Sequence, residues 1–240
     1  MRPGPPLLVA ATLLLAGCAA AESHSDVQSA GAANSGLDTE QLLERAGRAT
    51  ADLRTVHMVA ALKDNGTPVT VDVRVRLDSR DFAGRLDYRG NVLTLTRVGK
   101  DLYVKADPAY LAKSTGITDQ RLTRALAGKY LKAPAGDPRF AGIEGFLRLA
   151  DPGPALLDAK GRVSKRPVEL RDGVALVPLS GPSEDQVSTS TMYIAEHGAP
   201  RVARIVNDDV NDGATISYDR FDEPLDLPPP PPNDVVELPR

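Results

Sequence analysis

The 240-residue chain has one cysteine, no tryptophan, four phenylalanines and six tyrosines. One cysteine excludes an internal disulfide and any multi-thiolate metal site. With so few aromatics, aliphatic side chains must fill the interior. The formal charge is only −3, so no basic surplus points to nucleic acid. No apolar run reaches the roughly 20 residues that cross a bilayer as a helix. There is no G-x-S-x-G elbow, no H-E-x-x-H, no P-loop and no dinucleotide fingerprint. The three histidines are scattered: His24 in a polar stretch, His57 on an apolar strand and His197 beside a turn glycine. Asp208 and Asp209 sit in a turn with nothing apolar nearby to raise a carboxyl pKa, as acid–base work would need. The chain therefore reads as a non-enzyme without a metal or redox cofactor.

What is present begins at the N-terminus. Met1 and Arg2 precede an apolar run over residues 7–15, the layout of a secretory signal. Leu15-Ala16-Gly17-Cys18 resembles the bacterial lipobox. That resemblance implies cleavage after residue 17, a diacylglycerol on the Cys18 sulfur and a fatty acyl chain such as palmitate on its new amine. Two or more chains hold a protein stably at a bilayer, whereas one does so only marginally. The expected location is the extracytoplasmic face of the cell membrane. Residues 18–36 are small, polar and aperiodic, and read as a flexible tether after the lipidated cysteine.

A domain is expected over residues 37–227. Asp38 with Gln41 suits a capping box, and Leu42, Leu43, Ala46, Ala49, Thr50 and Leu53 form one helical stripe. From Val56 the period changes to two. Val69, Val71, Val73, Val75 and Leu77 alternate with Thr70, Asp72, Arg74 and Arg76, the pattern of a strand with one wet face. Phe82, Gly84, Leu86 and Tyr88 continue it, and short turns lead into strands over 92–98 and 102–106. Asn65-Gly66-Thr67 is read as a hairpin turn rather than a glycosylation site. Residues 108–126 and 138–150 have helical spacing, the first interrupted at Gly116, with 155–159 as one further turn. Residues 130–132 fit no element clearly. Five more strands follow at 163–170, 174–179, 189–195, 202–206 and 214–221. The acidic turn over 207–213 lacks the glycine and closing glutamate of an EF-hand and reads as a hairpin. The proline run that opens residues 228–240 is extended and suits an end-of-domain strap or spacer.

The fold class is thus α+β: a long antiparallel sheet with one aliphatic face, and helices to cover it. If the sheet curves, few helices and few aromatics leave apolar space for something else, such as an acyl chain, to occupy. The candidate cavity residues are Val71, Val73, Val75, Phe82 and Leu86 from the sheet, and Phe140, Ile143, Phe146 and Leu147 from the helical segment. A compact core filled by its own side chains fits the same pattern.

The lipobox, the tether and a helix running into Leu53-Arg54-Thr55-Val56-His57 together resemble the actinobacterial LppX/LprG-type lipoproteins. So do Asp101-Leu102-Tyr103-Val104, Thr191-Met192-Tyr193-Ile194-Ala195 with Gly198 and Pro200, and Tyr218-Asp219 through Glu223-Pro224. The resemblance spans residues 37–235. It implies a LolA/LolB-like half-open antiparallel β-barrel whose helices cover an apolar cavity. It also implies binding of lipid or lipoglycan acyl chains and their carriage across the envelope, with a membrane transporter as a possible partner. The alternative on the same fold is an envelope sensor without cargo, using its Pro-rich tail and charged strand faces.

Overall fold

The computed structural model describes residues 33–183 and 188–237; Cys18, the predicted signal segment and His24 lie outside them. Helix α1 (Thr39–Ala51) precedes five strands: β1 (Thr55–Asp64), β2 (Thr67–Arg76), β3 (Asp81–Tyr88), β4 (Asn91–Val98) and β5 (Asp101–Lys105). Helices α2 (Pro108–Thr115) and α3 (Gln120–Ala125), strand β6 (Tyr130–Pro134), and helices α4 (Ala141–Leu147) and α5 (Gly153–Asp158) follow. The chain then makes β7 (Ser164–Lys165), β8 (Glu169–Arg171), β9 (Val174–Pro182), β10 (Thr189–Ala195), β11 (Val202–Asn207) and β12 (Ala214–Asp219), and ends the described part in β13 (Val235–Glu237).

The strands form one unclosed sheet in the order β13-β6-β5-β4-β3-β2-β1-β12-β11-β10-β9-β7, with β8 also paired to β9. Two meanders are therefore joined where β1 lies antiparallel to β12, from His57 opposite Asp219 to Leu62 opposite Ala214. The expected half-open barrel is the fold, with all pairings antiparallel but the last, β13 on β6.

The alternation in β2 sets the two faces. Val69, Val71, Val73 and Val75 are buried while Thr70 and Asp72 are exposed. Gly84 occupies an inward position of β3 between buried Phe82 and Leu86, opposite Val73. A Cβ there would stand 2.1 Å from the Asp72 carbonyl oxygen and 2.6 Å from the Val73 Cα. Strands β2 and β3 thus converge more closely than any side chain permits, which lets the sheet curl inward.

The helices are fixed at their ends by the residues expected. In α1 the Gln41 N–H donates to Asp38 Oδ1 at 2.8 Å and the Asp38 N–H to Gln41 Oε1 at 3.3 Å, completing the capping box. Leu42, Leu43 and Ala46 are buried on its inner stripe, each leucine contributing about 1.5–3 kcal/mol of burial. Asp107 and Asp119 cap α2 and α3, and Gly116 ends α2 in the left-handed region at φ 72°.

Four expectations change. The predicted tether ends before residue 36: Asn34 is buried, its side chain donates to Ala195 O at 2.8 Å, and Ser35 Oγ donates to Glu196 at 2.6 Å. Lys165 Nζ donates to the carbonyls of Ser35 and Leu37. The predicted tail re-enters the sheet as β13 and is held by Lys129 Nζ on Asn233 O at 2.5 Å. Residues 130–132, which fitted no clear element, lie in β6 between two partners. The predicted strand over 163–170 is two, because Pro167 has no N–H to donate and restricts the residue before it.

His57 is also placed differently. Its chain neighbours are apolar, but its ring lies on the outer, polar face of the sheet. There Nδ1 meets Asp219 at 2.5 Å and Nε2 meets Asp72 at 2.9 Å. Both nitrogens are satisfied across three strands, so the histidine staples β12, β1 and β2. In the 207–213 turn, Asp209 Oδ1 accepts the N–H groups of Asn211 and Asp212 at 2.7 and 2.6 Å, so that carboxylate is used by the turn itself.

Candidate functional site

The helical cover does not fill the concave face evenly. Among the described residues, clefts open around this cover, and α4 and α5 stand between them. On one side of α4 lies a cleft of about 240 Å3 lined by Leu86, Tyr88, Phe140, Ile143 and Phe146. On its other side a cleft of about 280 Å3 is lined by Val75, Phe82, Leu147, Arg80, Arg97 and Arg148. Leu77, Asp151 and Pro154 line this second cleft and also a larger one, of about 730 Å3, so the two adjoin across a shared wall. That larger cleft runs between α1 and α5 over Leu43, Gly47, Thr50, Leu53 and Leu156. Beyond α5, a cleft of about 530 Å3 lies on the second meander over Leu179, Met192, Ile205 and Ile216.

The nine sequence candidates divide accordingly. Leu86, Phe140, Ile143 and Phe146 line the cleft beside Tyr88, and Val75, Phe82 and Leu147 line the arginine-bearing cleft. Val71 and Val73 line none of the four: at 1% and 0% exposure they lie in the core where β3 closes over β2. The two larger clefts hold no sequence candidate. Their residues come from α1, α5 and the second meander, whose shared faces only the β1–β12 junction reveals.

The lining has a chemical character of its own. Tyr88 donates its hydroxyl to Asp64 at 2.9 Å, and that bond raises its pKa. Burial raises that of Tyr110 in the same cleft. Burial likewise pushes up Tyr218, whose hydroxyl donates to Leu149 O at 2.7 Å and ties the helical cover to β12. All three stay neutral donors at physiological pH.

Arg139, also on the Tyr88 cleft, is clasped by Asp137 at 2.6–2.8 Å. The guanidinium hydrogen bond holds the Asp137 carboxyl below its usual range. A lowered folded pKa stabilises fully above the unfolded carboxylate value, about 4, and that contribution is lost as pH falls through the folded value. Asp137→Asn is therefore expected to cost about 1 kcal/mol at pH 7, lowering the melting temperature by about 2–4 °C. Thermal melts from pH 7 to 2 should show the gap to wild type closing in acid; a gap constant with pH would assign the loss to packing.

Two features single out the clefts as space kept open. Gly47 lies in the interior of α1, where glycine costs about 1 kcal/mol against alanine. A Cβ there would meet nothing within 4 Å, and the position lies on the groove between α1 and α5. Second, three buried side-chain polar atoms among the described residues lack a hydrogen-bond partner: Thr50 Oγ1, Arg97 Nε and Arg201 Nε. Arg201 has compensation, lying over the Phe221 ring and donating to Asp222 at 2.7 Å. The other two residues line the two adjoining clefts.

The chain matches no known protein-family profile and no curated protein sequence. Among solved structures, LprF from Mycobacterium bovis is 18% identical, covering 80% of this chain and 96% of its own, with a TM-score of 0.54. The lipoprotein LppX from Mycobacterium tuberculosis is 16% identical over 79% of this chain and 100% of its own, with a TM-score of 0.48. The fold is thus that of LprF, a half-open barrel of the kind the sequence resemblance to LppX/LprG-type lipoproteins implies.

Proposed function

We propose that this protein is a lipid-anchored extracytoplasmic lipoprotein that takes up acyl chains of lipids or lipoglycans in the trough between α1 and α5 and carries them across the cell envelope. The observation that carries this reading is the mid-helix glycine on the trough. Gly47 gives up helix stability without making room for any neighbouring atom, and the groove beside it carries Leu43, Leu53, Leu77, Leu156 and Leu157, with Glu44, Asp78, Asp151 and Lys160 also on its walls. At about 730 Å3 the trough falls within the range of roughly 300–1,000 Å3 typical of small-molecule sites. Burying a methylene contributes about 0.8 kcal/mol, so about ten supply roughly 8 kcal/mol before the cost of association. Sequestration needs no acid–base chemistry. Anchoring through Cys18 fixes where the domain works, and a membrane transporter is a natural partner for delivery.

An envelope sensor without cargo would use the Pro-rich tail as a partner ligand. Residues 233–237 are engaged with β6 and Lys129, while Pro228, Pro229, Pro231 and Pro232 before them are exposed. The test is direct. Cys18→Ala protein without residues 1–17, purified without detergent and extracted into organic solvent, is expected to release co-purified lipid by mass spectrometry. Lipid-free protein that also fails to bind added fatty acid would overturn the reading.

A further inference from the structure

Strand β4 places a charge on the apolar face of the sheet. Leu93 and Leu95 point inward at 2% and 0% exposure, and Arg97 is the next residue on that face, in register with Phe82. A guanidinium among aliphatic groups loses hydration and needs partners to compensate. Here they fall short. Arg97 Nε is buried without a hydrogen bond. One terminal nitrogen stands 3.8 Å from Glu144 Oε1, beyond hydrogen-bonding distance. That same oxygen already accepts the Gly136 N–H at 2.8 Å.

Two further guanidinium groups share the cleft. Arg80 sits in the β2–β3 turn at φ 59°, and Arg148 follows α4. The carboxylates lining it are Glu144 and Asp151, and Asp151 Oδ1 accepts the Gly153 N–H at 2.8 Å. Asp81, at the start of β3, is taken up by Arg76 and the Gly99 N–H. Three arginines therefore face two carboxylates that are already engaged. The cleft's apolar floor of Val75, Phe82 and Leu147 borders the trough at Leu77 and Pro154, which line both.

We propose that Arg97, with Arg80 and Arg148 at the rim, binds the oxyanion head of an amphiphilic lipid whose chain lies in the adjoining trough. This rests on the acyl-binding reading and adds the head group: a phosphodiester or a carboxylate, which share the planar, forked recognition that guanidinium offers.

Isothermal titration of the full chain tests it with four probes: dihexanoylphosphatidylglycerol, laurate, uncharged octyl glucoside and inorganic phosphate. One or both anionic amphiphiles should bind, and whichever is tighter names the head. Arg97→Gln should weaken that binding by about tenfold or more, with Arg97→Lys recovering part of it and octyl glucoside indifferent to either. Inorganic phosphate, lacking a tail, should bind far more weakly. Indifference of both anionic amphiphiles to Arg97→Gln overturns the head-group site while leaving acyl binding intact. Phosphate binding as tightly as the lipids makes it a free-anion site and overturns the assignment too. Failure of every amphiphile, octyl glucoside included, overturns the acyl-binding reading itself. Thermal melts separate a structural role: Arg97→Gln should melt no lower than wild type, because it removes an under-partnered charge. If it melts lower and Glu144→Gln does the same, Arg97 is a tie between β4 and α4 and the proposal fails.

Discussion

Replacing Gly84 with alanine is expected to destabilise the domain by about 3 kcal/mol, lowering its melting temperature by about 10 °C. The added Cβ would lie 2.1 Å from the Asp72 carbonyl oxygen, 2.6 Å from the Val73 Cα and 2.7 Å from the Val73 Cγ1. Two of these atoms are backbone, so no rotamer change relieves the contact. Strand β2 or β3 has to move, and the ladders from Val69–Tyr88 to Arg76–Asp81 on one side and Phe82–Arg97 to Tyr88–Asn91 on the other move with it. Val71 and Val73 are nearly inaccessible beneath that contact, so relaxation there also opens the core. Gly84→Val should leave little folded protein. The check is thermal denaturation by far-ultraviolet circular dichroism of both variants. An alanine variant that melts with wild type would show that the convergence of β2 and β3 is not what curves the sheet.

That contact also marks what was legible in the chain. The period-two valines of β2 and the inward series Phe82, Gly84, Leu86 could be read directly, because strand side chains alternate by geometry alone. The caps at Asp38 and Gly116 could be read for a similar reason, since they satisfy local backbone groups. Pairing across long stretches of chain was not legible. Nothing near His57 in sequence announces Asp219, yet the β1–β12 register sets them opposite one another. Strand β6 is short and becomes a strand only because β5 and β13 flank it. The site was half visible. Phe146 and Leu147 stood out as bulky apolar residues on a helical stripe, and they line clefts. Thr50 could be read only as part of the buried stripe of α1, and Gly47 gave no signal, because a glycine on a helix is ordinary until the space beside it is known. Arg97 did carry one: it continues the inward series Leu93, Leu95, where a charge breaks the alternation.

Gly47 supports the sharpest functional test, because stability and binding are expected to move in opposite directions. Gly47→Ala should stabilise the domain by about 1 kcal/mol through helix propensity, raising the melting temperature by about 2–4 °C. A single methyl leaves most of the trough open, so acyl binding should be retained. Gly47→Leu keeps nearly the same propensity gain and sends a side chain into the space between α1 and α5, against Leu43, Leu53 and Leu156. Stability should rise at least as far, because that leucine buries apolar surface. Fatty-acid affinity should fall by about tenfold or more, since each methylene kept out of the trough forfeits about 0.8 kcal/mol. Melting curves and titration with laurate on the two variants give both readings from the same samples. A leucine variant that is more stable and binds as well as wild type would move the acyl site elsewhere, and the cleft over Met192 and Ile205 would be the next to block. One that is less stable would show the trough to be occupied by the protein itself.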